Sequence, residues 1–210
     1  GDIGLYDEGS LGRLTRRERY LIEKHENPIQ LSYNYLAGRR RLPVDILGIP
    51  GNHEDFHLVE AMERGDLTLP GLHLLRPGEA VDLDLGGRVV KVMGIGRILP
   101  EELVPKNRKR TKYISEEAVS ATLETAACSP PDLLLLHEPP LLATEGQGKV
   151  FGSGELRRLI EEIRPAVVVA GHMHFEYTSR IGDTRVYGIG YGIHGRYALI
   201  DRDLLFSFED

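Results

Sequence analysis

Three short apolar runs in this chain each end directly on a cluster of histidine and other polar residues. The runs and their clusters are Val44 to Ile49 before Gly51-Asn52-His53-Glu54, Leu133 to Leu136 before His137-Glu138-Pro139-Pro140, and Ala166 to Ala170 before Gly171-His172-Met173-His174. Short, wholly apolar runs are typical of strands buried on both faces of a parallel sheet. Ligands of such sheets gather beyond the carboxyl ends of the strands, so we expect the three clusters to meet at one site.

The remaining segments alternate between strand-like and helix-like patterns, which indicates an α/β fold with residues 1–210 in one domain. A capping box at Thr15 and Glu18 indicates an early helix, and further helices are expected to begin at Ser115 and at Ser153. Additional strands are predicted at Arg88 to Ile95, Val186 to Ile189, Tyr197 to Ile200 and Leu204 to Phe208.

Composition excludes several classes of protein. Of the 210 residues, 41% are hydrophobic and 28% charged, and no apolar run is long enough to span a membrane. The single cysteine, Cys128, excludes an internal disulfide framework, and we expect its side chain to be buried. A cytoplasmic location is therefore predicted. The net charge of -6 argues against broad nucleic-acid affinity, although it leaves a local basic patch possible.

The polar clusters combine imidazole, amide and carboxylate groups. Imidazole is a common ligand of zinc, iron and nickel, whereas carboxylate and carbonyl oxygens suit manganese and magnesium. A mixed set of His, Asn and Asp donors therefore favours a divalent transition metal such as manganese, iron or zinc.

The same clusters resemble the sequence blocks of calcineurin-like metallophosphoesterases. Gly51 to Glu54 resembles the G-N-H-[DE] block of that family, and Gly171 to His174 resembles its G-H-x-H block. His137 resembles the isolated histidine block, and Gly1-Asp2 resembles the G-D block. The order and the strand contexts agree from Gly1 to about His174. The resemblance implies an α/β/β/α sandwich of mixed sheets flanked by helices.

The resemblance also implies a role for each residue in hydrolysing a phosphate monoester or diester with two divalent metal ions. Manganese is favoured, and iron and zinc are alternatives. Two ions of such a site lie about 3.5–4 Å apart and activate a bridging water. By this resemblance, Asp2 would bridge the two ions, Asn52, His137 and His172 would bind the second ion, and His174 would bind the first. His53 would contact the substrate phosphate, and Glu54 would orient the His53 ring.

One block of the family pattern is absent from the sequence as given. In the family, a strand carrying D-x-H, a helix and a second strand precede the G-D block, whereas this sequence starts on Gly1-Asp2. Either the sequence is a piece of a longer chain, and the strand-helix-strand unit is missing from this piece alone, or the first metal site is depleted. The first reading is favoured, because a fold without two central strands would expose apolar surface.

Other functions stay open as alternatives. One is a protein-interaction scaffold on the same fold. Another is a zinc protease, because His53 to His57 also spells H-E-x-x-H, although that motif requires an established helix. The basic run from Lys106 to Arg110, with Lys112, is a candidate for contacting an anionic substrate, and His194 lies in a glycine-rich stretch that is a candidate for lining the site. Nucleotides, cyclic nucleotides, nucleic-acid ends and small phosphodiesters remain possible substrates, and the oligomeric state is not indicated.

Overall fold

The computed structural model describes residues 2–14, 16, 19–20, 33–100, 110–143 and 150–209. Its helices are α1 (Ser10–Arg13), α2 (Phe56–Arg64), α3 (Glu116–Cys128) and α4 (Gly154–Ile163), with short 3-10 turns at Arg110–Lys112 and Gly192–His194. Its strands are β1 (Ile46–Gly48), β2 (Leu72–Leu74), β3 (Ala80–Asp84), β4 (Val89–Ile95), β5 (Leu133–Leu136), β6 (Leu142–Ala143), β7 (Val150–Phe151), β8 (Val167–Ala170), β9 (Tyr177–Ile181), β10 (Thr184–Gly188), β11 (Tyr197–Ile200) and β12 (Phe206–Glu209).

The central sheet has six strands in the order β3-β4-β5-β8-β10-β9. The four inner strands are parallel, and the two edge strands are antiparallel to their neighbours. Strands β5 and β8 pair with Leu136 opposite Ala170. The residues that follow these two strands therefore leave the same edge of the sheet side by side.

Each face of the central sheet is covered by a different layer. On one face, Met93 and Leu134 pack with α3 and α4, which contribute Ala126 and Ile160. On the other face, Val92 and Leu133 pack with Ile49 and Leu75, which follow the small parallel sheet β1-β2, and with the β11-β12 hairpin. Helix α2 packs Val59 against Leu74 of β2 and against Leu5, beyond this second layer. The order of layers confirms the predicted α/β/β/α sandwich.

Local sequence signals account for the helix ends. Ser115 caps α3 by accepting a hydrogen bond from the N–H of Ala118, and Ser153 caps α4 through the N–H groups of Glu155 and Leu156. Both caps were predicted and are confirmed. The capping box at Thr15 and Glu18 and most of the basic run from Lys106 to Arg110 lie outside the described residues.

Several sequence predictions need correction. The strand predicted at Val44 to Ile49 is shorter and covers Ile46–Gly48, and the last strand covers Phe206–Glu209. Cys128 is exposed rather than buried, because it ends α3 on a side that faces solvent. No helix in the described part of the chain has the length and apolarity needed to cross a bilayer.

Candidate functional site

Four of the predicted metal ligands come together at the carboxyl ends of β1, β5 and β8. The ring nitrogen Nε2 of His137 lies 2.8 Å from the side-chain oxygen of Asn52 and 3.8 Å from Oδ1 of Asp2. The ring of His172 lies edge-on to the ring of His137, with 5.0 Å between the ring centres. The structure thus joins Asp2, Asn52, His137 and His172, which lie far apart in the sequence.

Asp2 is held against the Gly51-Asn52-His53 turn by backbone hydrogen bonds. Its Oδ1 atom accepts hydrogen bonds of 2.8 Å from the N–H groups of both Asn52 and His53. A Cβ atom at Gly51 would overlap the same oxygen, far inside the contact limit. Glycine is therefore required at position 51, because any side chain would displace the Asp2 carboxylate.

Glu54 holds the backbone of the segment that carries Asp2. Its two carboxylate oxygens accept hydrogen bonds of 2.6 Å from the N–H groups of Ile3 and Leu5, and the side chain is buried. Burial, reinforced by the charge of Asp2, raises the pKa of Glu54 to about 7, although the two N–H groups partly offset this. The structure thus gives Glu54 other partners than the His53 ring that the resemblance implied.

Asp55 ties a second part of the same segment to α2. Its Oδ1 atom caps the helix by accepting the N–H of His57, while Oδ2 accepts hydrogen bonds of 2.7 Å from the Ser10 hydroxyl and from Nε of Arg13. The N–H of Asp55 also donates to the carbonyl of Leu5. This network was not predicted from the sequence. The one available signal was Asp55 itself, because aspartate is a common residue at the start of a helix.

The arrangement of His53 argues against a zinc-protease helix. Helix α2 begins at Phe56, so His57 belongs to the helix but His53 does not. The backbone of His53 is instead fixed in the preceding turn, where its N–H binds Asp2 and its carbonyl accepts the hydroxyl of Tyr6. The His53 side chain is exposed. The two histidines therefore do not share one helix face, as the H-E-x-x-H motif requires.

His137 is buried as a neutral imidazole. Only 1% of it is exposed, and its second ring nitrogen, Nδ1, has no hydrogen-bond partner among the described residues. Burial lowers the pKa of His137 to about 4, although the nearby Asp2 carboxylate opposes the shift. Burial also lowers the pKa of His172. Neutral rings keep a lone pair free, which is the form that binds a metal ion.

An unusual backbone turn sends the two histidines after β8 in different directions. His172 and His174 have φ angles of 66° and 60°, the left-handed region that costs a non-glycine residue about 1–3 kcal/mol. The ring of His172 faces His137, whereas the exposed ring of His174 stacks on Tyr191 at 4.3 Å with an angle of 8° between the planes. The ring of His172 thus belongs to the group of four residues, whereas the ring of His174 lies against Tyr191.

The donor set fits a divalent ion that binds both oxygen and nitrogen. Among the described residues, no three His, Cys, Asp or Glu side chains form a group that is able to hold a metal ion. The donors that converge include an amide, because the oxygen of Asn52 joins Nε2 of His137 at 2.8 Å. Two ligands bound about 2.1 Å from one ion are about 3 Å apart at a right angle. The separations of His137 from Asn52 and Asp2, 2.8 and 3.8 Å, therefore suit a shared ion.

Comparison with known proteins agrees with this geometry. A sequence model of the calcineurin-like phosphoesterase family matches residues 1–176. The chain is 23% identical to the lariat debranching enzyme of Schizosaccharomyces pombe over 171 residues, a match that covers 70% of this chain and 36% of that protein. The chain therefore spans about a third of the length of this curated relative.

Two solved structures share the fold. One is 20% identical, with a TM-score of 0.59, over 96% of this chain and 79% of the other. The second, TT1561 of Thermus thermophilus, is 19% identical, with a TM-score of 0.57, over 78% of this chain and 71% of the other. At these identities the likeness shows the fold alone.

Proposed function

Because this chain belongs to the calcineurin-like phosphoesterase family, we propose that it hydrolyses phosphate esters at the site formed by Asp2, Asn52, His137 and His172. The observation that carries this proposal is the contact of 2.8 Å between Asn52 and His137, which are 85 positions apart in the sequence. The imidazole of His137 lies beside both the amide oxygen of Asn52 and the carboxylate of Asp2, and imidazole, amide and carboxylate groups are all ligands of divalent metal ions.

The family generally uses a binuclear divalent metal centre. We propose that Asn52, His137 and His172 hold one ion, that His174 binds the other, and that Asp2 faces both. The mixed oxygen and nitrogen donors favour manganese, with iron and zinc as alternatives. When bound, such ions supply positive charge to the phosphate oxygens and lower the pKa of a water molecule.

His53 is the residue proposed to act on the substrate. Its backbone is fixed from both sides by Asp2 and Tyr6, so its exposed ring starts from a defined position beside Asn52. An imidazole there is able to donate a hydrogen bond to a phosphate oxygen, or a proton to the leaving oxygen. Positioning by a rigid turn keeps this group within reach without making it a metal ligand.

The substrate is proposed to be a phosphodiester. Protein serine/threonine phosphatases carry G-D-x-x-D-R-G at the second block, whereas this chain has Gly1-Asp2-Ile3-Gly4-Leu5-Tyr6-Asp7, and its G-H-x-H block suits the phosphodiesterase-like branch. Similarity to a lariat debranching enzyme supports phosphoester hydrolysis and keeps nucleic acid among the possible substrates. The cytoplasmic location stays a prediction.

Alanine substitution tests the proposed function. In the presence of Mn²⁺, His172→Ala and Asn52→Ala are each expected to abolish hydrolysis of bis(p-nitrophenyl) phosphate, with circular dichroism unchanged. His73→Ala is the matched control, because His73 is an exposed histidine whose ring contacts Glu79. Undiminished turnover in the two site variants would refute the assignment.

A further inference from the structure

A pair of aromatic rings lies directly beside the proposed metal site. Tyr191 and His194, here called the aromatic shelf, belong to the turn between β10 and β11. The Tyr191 ring stacks on His174, and the edge of the His194 ring meets Tyr191, with 5.3 Å between centres and 73° between planes. The shelf is thus separated from a proposed metal ligand by one ring-to-ring contact.

The shelf faces open space. His194 and His174 are exposed, and Tyr191 is half-buried. A Cβ atom placed on Gly192 or Gly195 would have no atom within 4 Å, whereas one on Gly190 would meet Arg196 and Glu176, so the open space lies on the side of Gly192 and Gly195. In the described part of the chain, the only aromatic ring that contacts the ring of His194 is that of Tyr191.

From this geometry we infer that the aromatic shelf binds a nucleobase of the substrate while the attached phosphate occupies the metal site. The inference rests on the proposed function and adds a substrate class to it, namely nucleoside phosphodiesters. Aromatic rings beside a phosphate site bind bases of any sequence, because every base has a π-face that is able to stack. The exposed ring of His194 is the part of the shelf nearest to solvent.

A structural role for Tyr191 is the competing explanation. Stacking on His174 would by itself hold that ring in place, whatever the substrate contains. His194 separates the two roles, because its ring contacts Tyr191 and forms no ring-to-ring contact with His174 among the described residues. A substrate without bases also distinguishes the two roles. If Tyr191 only holds the ring of His174 in place, its loss would affect hydrolysis of both substrates equally.

The test compares dithymidine monophosphate with its analogue in which both bases are replaced by hydrogen. Hydrolysis is followed by liquid chromatography with Mn²⁺ present. The wild-type chain is expected to favour the substrate with bases, and His194→Ala to lower the ratio of the two kcat/KM values about tenfold. Tyr191→Phe is expected to keep the ratio and Tyr191→Leu to lower it. His73→Ala, the exposed-histidine control, should leave the ratio unchanged.

Two results would overturn the inference: an equal fall of both kcat/KM values in His194→Ala, or no change in either. Calorimetric titration with thymidine 5′-monophosphate and with deoxyribose 5-phosphate separates failure of the shelf from failure of the proposed function. If the wild-type chain hydrolyses neither dithymidine monophosphate nor its analogue without bases, the proposed phosphodiesterase function is wrong. The shelf then stands only if His194→Ala weakens binding of the base-bearing ligand alone, and it falls if both ligands bind alike.

Discussion

Replacing Glu54 by glutamine tests whether the buried carboxylate positions the metal site. In the wild-type chain its two oxygens accept the N–H groups of Ile3 and Leu5, on either side of Gly4 and close to Asp2. Glutamine has nearly the same shape but offers one oxygen, and its NH₂ group would face a backbone donor. The substitution therefore breaks one hydrogen bond and leaves the NH₂ group of glutamine facing a backbone N–H, so that two donors oppose each other.

The expected magnitude follows from that loss. A hydrogen bond to a charged group contributes about 1.5–3 kcal/mol, and an unsatisfied buried donor costs a similar amount. Part of the loss is offset because burial opposes the charge of the wild-type carboxylate, as its raised pKa shows. A net cost of about 1.4–2.8 kcal/mol on docking the segment with Asp2 corresponds to a tenfold to hundredfold weaker binding of Mn²⁺.

The assay is calorimetric titration of the metal-free protein with Mn²⁺, together with thermal unfolding. Glu79→Gln is the matched control, because Glu79 also accepts a backbone N–H, that of Arg76, but lies away from the site. We expect both variants to lose stability and only Glu54→Gln to lose metal affinity. Equal Mn²⁺ affinity in Glu54→Gln and the wild type would refute the reasoning, because Asp2 would then hold its place without Glu54.

Three further predictions follow from the same geometry. His53→Ala should lower turnover far more than the bound metal content, measured by elemental analysis, and a loss of metal would instead make His53 a ligand. Gly51→Ala should abolish Mn²⁺ binding in a folded protein, because a Cβ atom at that position would overlap Oδ1 of Asp2; retained affinity would contradict the site. Burial alone would raise the pKa of Asp7, but hydrogen bonds from Arg13 and Ser10 lower it below 3.8. The stability that Asp7 contributes is therefore present above pH 3.8 and lost as the pH falls through its lower folded pKa, so Asp7→Asn should flatten the acid side of a stability profile measured by urea unfolding.

The convergence of the polar clusters was predictable because the strands that precede two of them have a clear local pattern. Runs such as Leu133–Leu136 are apolar throughout, and that pattern indicates a strand buried on both faces. Because parallel strands of one sheet place their carboxyl ends at one edge, the residues after β5 and β8 could be grouped in this way, whereas β1 lies in the separate β1-β2 sheet and brings Asn52 to the site from the second layer. The register of Leu136 opposite Ala170 then brings His137 beside Gly171, as expected for neighbouring strands.

The edge strands were harder to predict because their residues favour other structures. Strand β3 runs from Ala80 to Asp84 and includes two aspartates, a residue that is depleted in strands. Its pairing with β4 supplies the hydrogen bonds that the sequence pattern does not indicate. Strand β9 was also missed. Its sequence, Tyr177 to Ile181, contains polar residues, and only Ile181 is fully buried, so no apolar run marks it as a strand.

The hydrogen bonds that Glu54 accepts from the segment after Asp2 were beyond sequence reasoning for a different reason. The backbone of Ile3 and Leu5 forms no regular element, so no periodic pattern marks the segment, and its partner Glu54 lies 51 and 49 positions away. The family resemblance implied that Glu54 orients the His53 ring, whereas in the structure its carboxylate accepts the N–H groups of Ile3 and Leu5. Buried backbone donors must be paired, and here the pairing falls to a side chain because no neighbouring strand supplies carbonyls among the described residues.

The directions of the two histidine rings after β8 show where the limit of prediction lies. Their spacing in Gly171 to His174 is the same whether the backbone continues extended or turns. With extended backbone, residues two apart would point to the same side. Left-handed φ angles at both His172 and His174 instead send one ring to His137 and the other to Tyr191. Because only a few per cent of non-glycine residues adopt that conformation, no sequence rule would choose it. The turn therefore separates the two rings, and under the proposed function this separation would let His172 and His174 bind two neighbouring ions.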